Sequence, residues 1–179
     1  MKNVLHARKD KSFYLVGYSM GGRLAWQLAP FLYPGVRGLI LLGAHPGLES
    51  KEEKMARWES DREWIALLEK GDMKAFLSKW YAQPLFSGFR KKEEVIEKRL
   101  KRNPTHLAAM MRTMSLALQP RLKIFSPTLF MHGKEDLKYG DIYSEMACVE
   151  AIPEAGHAAH LENPRAVADA IRRFVEKHP

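Results

Sequence analysis

The sequence predicts an α/β fold: a mostly parallel sheet that carries an inserted block of helices. Three observations predict it. Short apolar runs bounded by turn residues stand at 13–17, 36–44, 127–133 and 148–152. They suit strands covered on both faces, as parallel strands are. Between the first two, and after the third, lie stretches with helical spacing, which is the order of βαβ units. From about 46 to 120 no convincing strand occurs, so the sheet is interrupted by helices and then resumed.

Taken in order, FYLVG at 13–17 reads as a buried strand and 23–32 as a helix stopped near Pro34-Gly35. VRGLILLGA at 36–44 reads as a second strand, apolar enough for both faces to be covered. In the helical block, Met55, Trp58, Ile65 and Leu68 fall at helical spacing and Gly71 is a stop. Asp72 is placed to cap a short helix carrying Phe76, Leu77 and Trp80. A further helix is expected over 91–102, ended by Asn103-Pro104. Thr105 is expected to cap the next, with Ala108, Met111, Met114 or Ser115, and Leu118 on one face. A strand at 127–133, a helix at 139–146, a strand at 148–152 and a helix at 164–177 with proline at its start complete the chain. The expected division is a core of 1–45 with 121–179, and a helical lid of 46–120.

Composition narrows the function classes. The net charge is +8, yet the densest basic stretch, 90–102, is interleaved with Glu93, Glu94 and Glu97, as on a solvated helix face. No zinc-finger, RNP or basic-zipper pattern appears, so nucleic acid is not the expected partner. No apolar run approaches the ~20 residues that span a bilayer, and the charged residues 1–11 lack the apolar core of a signal peptide. The single cysteine, Cys148, excludes an internal disulfide. A cytoplasmic protein is expected.

The chemistry is concentrated in "VGYSMGGRLA". Gly17-Tyr18-Ser19-Met20-Gly21 matches G-x-S-x-G between a strand and a helix, the nucleophile elbow. The serine takes a strained backbone, and a Cβ at either flanking glycine is expected to collide with neighbouring backbone. The Met20 N–H, at a helix start, is placed to meet a developing oxyanion. A serine needs a base and the base an orienting acid, in the chain order Ser, Asp/Glu, His. Asp136 follows the strand at 127–133 and His157 follows the strand at 148–152, both beyond carboxyl ends where ligands bind in open α/β sheets. Ser19, Asp136 and His157 are the expected triad. Glu135 rivals Asp136, and His160 and His45 rival His157, although His45 more simply shapes the turn into the helical block. Arg23, four residues after Ser19, puts a cation where the helix dipole disfavours one. It reads either as a holder of an anionic substrate or as an exposed arginine on a polar face.

Seven stretches, "VGYSMGGRLA", "GAHPGL", "ESDREW", "WYAQPLF", "NPTHLAAMMRTMSLALQP", "GKEDLKY" and "IPEAGHAAHLENP", together resemble the MenH family. These are 2-succinyl-6-hydroxy-2,4-cyclohexadiene-1-carboxylate synthases of menaquinone biosynthesis, with the α/β-hydrolase fold. The resemblance runs from about 13 to 164 and includes the helical block. It implies a lyase that eliminates pyruvate from a polycarboxylate cyclohexene substrate, without metal or redox cofactor. It implies substrate-binding roles for Tyr18, Arg23, Arg57, Trp80 and Arg99, with Arg102 close enough to confuse the last match. Arginine suits such a substrate because its planar fork meets a carboxylate through two hydrogen bonds.

In this fold the elbow follows the fifth strand, and here it stands at residue 19. The first strands of the sheet, on the order of 70 residues by ordinary element lengths, are therefore expected to lie outside this sequence. With them would go the loop that gives the second oxyanion donor. A start placed too late is the favoured reason, ahead of a split or decayed gene or a partner chain that completes the sheet. On its own the chain is expected to have weak lyase activity or none. Two other readings stand beside the lyase: a serine hydrolase of the same fold acting on an ester, thioester or C–C bond, and a non-catalytic fragment that pairs with another chain.

Overall fold

The computed structural model of the chain describes residues 12–123 and 127–179. The charged stretch at 1–11 lies outside the described residues. Two compact units are present, one holding the chain up to His45 and from Leu122 onward, the other Pro46–Arg121.

In the first unit, β1 (Phe13–Tyr18), β2 (Val36–Leu42), β3 (Thr128–Gly133) and β4 (Val149–Ile152) form a parallel sheet in the order β1-β2-β3-β4. Helix α1 (Met20–Leu32) joins β1 to β2. Alternation along the strands splits the core into two faces. Ile40, Leu42, Leu129, Met131 and Ile152 pack with Val167, Ala170 and Phe174 of the last helix, Pro164–Lys177. Of the opposite phase, Phe130 meets Trp26 of α1 at 5.4 Å and Tyr143 at 5.1 Å between ring centroids. β2 is covered on both faces apart from Arg37. β1, expected buried, is only half-buried, with Val16 exposed, because it is the outermost strand of the described sheet on that side.

The second unit holds α2 (Lys51–Glu69), α3 (Met73–Tyr81), α4 (Lys92–Leu100) and α5 (Pro104–Thr113), with 3₁₀ turns at Pro84–Phe86 and Leu116–Leu118. α2 opens with a capping box: the Ser50 hydroxyl accepts from Glu53 N, and the Glu53 carboxylate accepts from Ser50 N at 2.9 Å. Asp72 caps α3 by accepting from Ala75 N. The cap of α5 is Asn103, which accepts from His106 N, with Pro104 at the first helical position. Thr105, expected as the cap, lies inside the helix, because proline at the first position fixes the boundary one residue earlier. Met55 is exposed; the buried face of α2 carries Asp61, Ile65 and Leu68 instead. Leu118 is exposed as well, because α5 stops at Thr113 and a 3₁₀ turn breaks the expected stripe. At the base of the unit Gly47 lies against Arg121, where a Cβ would stand 2.6 Å from the Arg121 Cα, and Glu49 pairs with Arg121.

After β3 come α6 (Leu137–Tyr143), β4, the short α7 (Ala159–Glu162) and α8 (Pro164–Lys177). α6 begins two residues before the expected start, because the Asp136 side chain caps it. α7 has no counterpart among the expected elements. It is a single turn, too short for a hydrophobic period to show.

Candidate active site

The elbow is built by close approach of backbone. α1 starts at Met20, three residues before the expected start, with Ser19 as its N-cap at φ 49° and ψ −117°. A positive φ is uncommon for a residue with a Cβ and marks strain held by the surroundings. Ser19 N donates to Leu42 O at 2.8 Å, which docks the elbow on the end of β2. A Cβ on Gly17 would stand 2.5 Å from the Gly22 Cα, and one on Gly22 would stand 2.7 Å from the Ala44 Cβ. Gly21 has nothing within 4 Å of the same position. The expected collision therefore holds for Gly17 and fails for Gly21. With the helix starting at Met20, Gly22 is the residue turned onto β1, and Gly21 is exposed. The Ser19 hydroxyl makes no capping bond to α1. Met20 occupies the first helical position, where the backbone N–H has no acceptor within the helix.

The acid and the histidine are joined by neighbouring strands. Lys134 N donates to Ile152 O at 2.8 Å and Glu135 N to Ala155 O at 2.9 Å, which zips the loops beyond β3 and β4 together. Gly133 is pressed so closely that a Cβ there would stand 2.1 Å from Gly156 O. Across this seam His157 Nδ1 meets Asp136 Oδ2 at 2.8 Å, with the two side chains 3% and 2% exposed. The other Asp136 oxygen accepts from Tyr139 N at 3.3 Å. Glu135, the rival acid, is exposed and is not the partner of His157 in this pair.

Rings and one glycine fix the imidazole. Tyr18 lies 5.2 Å from the His157 ring and Tyr139 lies 5.0 Å from it, centroid to centroid. Gly43, φ +56°, leaves the space for the ring: a Cβ there would stand 2.8 Å from His157 Cε1. Beyond Gly43 the chain is held by Tyr143. Its hydroxyl accepts from Ala44 N at 2.6 Å and donates to Ala44 O at 2.8 Å. Burial drives the Tyr143 phenol well above its ordinary range, so it stays protonated and can donate. Glu162 braces the histidine loop by accepting from Gly156 N at 3.1 Å. Burial raises the Glu162 carboxyl above its ordinary value, opposed by the Gly156 N–H and by His157.

Tyr18, Ser19, Asp136 and His157 are thus brought to one end of the sheet, at the carboxyl ends of parallel strands. His160, the rival base, has its ring 4.3 Å from Tyr18. Arg23 N donates to Ser19 O at 3.1 Å, and its side chain lies in the interior, the residue being 7% exposed. That removes the reading of an exposed arginine on a polar face. Gly43, Tyr139, Tyr143 and Glu162 were not singled out from sequence. Gly43, Tyr139 and Glu162 lie in stretches that carry the family resemblance without a role of their own there, and Tyr143 lies in none of them.

The remaining expected residues belong to the helical unit. Trp80 sits in an aromatic cluster with Trp64 at 5.2 Å and Phe76 at 5.6 Å. Arg99 lies over the Tyr81 ring, 5.7 Å from its centroid. Burial raises the Tyr81 phenol and the Arg99 charge opposes this. Arg57 donates through Nε to Asp61 at 2.8 Å. Among the described residues no group of three His, Cys, Asp or Glu side chains is placed to hold a metal ion. Nor is any helix there long and apolar enough to cross a membrane.

Comparisons with known proteins bear on the family and the fold. The model of the "Alpha/beta hydrolase family" matches residues 2–170. A 2-succinyl-6-hydroxy-2,4-cyclohexadiene-1-carboxylate synthase of Citrobacter koseri is 34% identical, over 98% of this chain and 73% of that protein. The synthase of Shigella sonnei is 36% identical, over 92% of this chain and 68% of that protein. Among solved structures, MenH from S. aureus superposes with a TM-score of 0.89 at 26% identity, covering 98% of this chain and 72% of that one. A thermophilic esterase from Thermogutta terrifontis, in its malate-bound form, gives a TM-score of 0.72 at 26% identity, covering 99% of this chain and 69% of that one. The chain belongs to the alpha/beta hydrolase family, and within it to the group that holds the 2-succinyl-6-hydroxy-2,4-cyclohexadiene-1-carboxylate synthases.

Proposed function

We propose that the protein is a carbon–oxygen lyase of menaquinone biosynthesis. It converts 2-succinyl-5-enolpyruvyl-6-hydroxy-3-cyclohexene-1-carboxylate to 2-succinyl-6-hydroxy-2,4-cyclohexadiene-1-carboxylate and pyruvate. The observation that carries the reading is the buried Asp136–His157 pair at the same end of the sheet as the elbow serine, in a chain about one-third identical to such synthases over most of its length. Ser19, His157 and Asp136 are its triad. Asp136 accepts from Nδ1–H, which fixes the tautomer that leaves Nε2 basic. His157, through the Ser19 hydroxyl, removes the proton from ring carbon 2, next to the succinyl ketone. The electron pair forms the C2–C3 double bond, the C3–C4 bond shifts to C4–C5, and the C5–O bond breaks. The leaving oxygen departs in the enolate of pyruvate, which takes up a proton. Charge developing on the ketone oxygen meets the Met20 N–H.

The substrate is an anion, and Arg23, Arg57 and Arg99 are its proposed carboxylate holders, with Tyr18 and Trp80 as apolar walls. The Arg57, Trp80 and Arg99 roles rest on the family resemblance. The helices Pro46–Arg121 are proposed as the lid domain.

The test is release of pyruvate from the enolpyruvyl substrate, followed by coupled NADH oxidation. Ser19→Ala is expected to remove about a thousandfold or more of the rate. Pyruvate release undiminished by Ser19→Ala would sink the triad, and turnover of p-nitrophenyl esters with no release of pyruvate would sink the lyase. The esterase resemblance favours one second reading, a carboxylic-ester hydrolase. It predicts turnover of p-nitrophenyl esters that Arg23→Ala leaves intact.

A further inference from the structure

Among the described residues two acids are buried, Asp136 and Asp61. Asp136 is accounted for by His157. Asp61, in the helical unit, is not used by the elimination. Its two carboxylate oxygens are divided between two segments. Oδ1 accepts from Arg57 Nε at 2.8 Å, one turn back on the same face of α2. Oδ2 accepts from the Ser115 hydroxyl at 2.7 Å, beyond the end of α5. Ser115 is itself fixed, because its Oγ accepts from Ala117 N at 3.1 Å and so caps the 3₁₀ turn.

The division of the oxygens decides how Arg57 is held. An arginine meeting a carboxylate commonly uses two parallel bonds. Here the second oxygen is engaged by Ser115, so the grip is through Nε. A guanidinium has five N–H donors, four of them on the two terminal nitrogens. The Nε–H lies along the side of the plane, while the two terminal nitrogens form its end-on edge. A grip at Nε leaves that edge available for a second carboxylate. Exposure agrees: the Arg57 side chain is 36% exposed and that of Asp61 is 4%.

We propose that Asp61 is a positioning residue. It aims Arg57 as an end-on grip for a ligand carboxylate, with Ser115 setting the plane of the Asp61 carboxyl. The inference rests on the reading of Arg57 as a substrate-binding residue. Its advantage is pre-organisation: the side-chain entropy lost in ordering Arg57 falls on folding rather than on binding.

The sign of one substitution separates positioning from plain electrostatics. Asp61→Asn removes a negative charge next to an anion site. By charge alone it should tighten binding of an anion. By positioning it should weaken it, because the neutral amide holds the guanidinium less firmly than a carboxylate does. The probe is 2-succinyl-6-hydroxy-2,4-cyclohexadiene-1-carboxylate, a dicarboxylate, titrated calorimetrically into the full chain, with circular dichroism to verify folding.

Asp61→Asn and Arg57→Ala are each expected to raise Kd about tenfold or more, the scale of a hydrogen bond to a charged group. In the Arg57→Ala background, Asp61→Asn should change Kd by less than about twofold, since the two act as one unit. Ser115→Ala, which keeps both charges, is expected to raise Kd about threefold, the scale of one neutral hydrogen bond; it decides the matter if Asp61→Asn does not fold. Tighter or unchanged binding by Asp61→Asn, or an equal loss without Arg57, overturns the proposal. If Arg57→Ala leaves Kd unchanged, the substrate role of Arg57 falls and the proposal with it. If Arg57→Ala weakens binding while Asp61→Asn and Ser115→Ala do not, that role stands and the positioning alone fails.

Discussion

Replacing Gly43 by alanine tests whether the end of β2 is shaped around the His157 ring. Two costs act together. The φ of +56° puts an L side chain in the left-handed region, at about 1–2 kcal/mol. The added Cβ would stand 2.8 Å from His157 Cε1 and 3.1 Å from Nδ1. Ordinary contact lies near ~3.5 Å, so the ring must retreat by about 0.7 Å or Gly43 must shift. Neither has room. The ring is tied to Asp136 at 2.8 Å and flanked by Tyr18 and Tyr139, and the next residue is held twice by Tyr143. With about 1 kcal/mol of overpacking, the total is about 2–3 kcal/mol. That lowers Tm by about 4–12 °C for a chain of this size. With His157 as the proposed base, misplacing its ring by a large part of an ångström should cost about a hundredfold in kcat/KM. Thermal unfolding and pyruvate release measure the two effects. A variant with Tm within about 1 °C and kcat/KM within about twofold of the parent would refute the reasoning, because a strained φ and a clash of this size cannot both be silent.

The elbow glycines should separate by position. Gly17→Ala should lose about 3 kcal/mol or more, because the colliding atoms are backbone, whereas exposed Gly21→Ala should be neutral or gain up to about 1 kcal/mol from helix propensity; denaturant midpoints compare them. Tyr143→Phe leaves Ala44 N and O without their partner in a buried place and should cost about 1–3 kcal/mol by urea unfolding. Glu162 gives a pH signature. Its raised folded value means that the native state binds this proton more tightly than the unfolded chain, so its contribution is fully present below the ordinary value of 4.5 and is lost as pH rises through the folded one. Burial sets most of that step, the Gly156 N–H and His157 work against it, and Glu135 adds to it. In a series of urea midpoints, Glu162→Gln should flatten the slope in that window; an unchanged slope would show that another group carries it.

What could be read in the sequence follows from how each feature is encoded. The four strands announce themselves as short apolar runs between turn residues, and the last helix, opened by proline, runs over Pro164–Lys177 as expected. The elbow is legible because G-x-S-x-G is contiguous. Asp136 and His157 are legible by order, each in the loop after a strand. Gly43, Tyr143 and Glu162 were not, because their significance lies in contacts between loops, such as Tyr143 to Ala44 across 99 residues. The Asp61–Ser115 bond is likewise set by tertiary packing, across 54 residues. Boundaries failed where one side chain overrides propensity, as Asn103 does at α5 and Asp136 at α6.

The contact of Gly47 with Arg121 bears on how the chain folds. β2 and β3 pair through Leu39 and Thr128, so the sheet must close around everything between them. Were that segment a loose coil, closure would carry the entropy of a long loop and rank among the slow steps of folding. Because the ends of the segment meet at Gly47 and Arg121, a helical unit formed first from local contacts would shrink the effective loop to roughly a dozen residues. Formed in that order, the inserted helices would speed closure of the sheet, and exchanging them for another block with adjoining ends should leave β2 and β3 able to find each other.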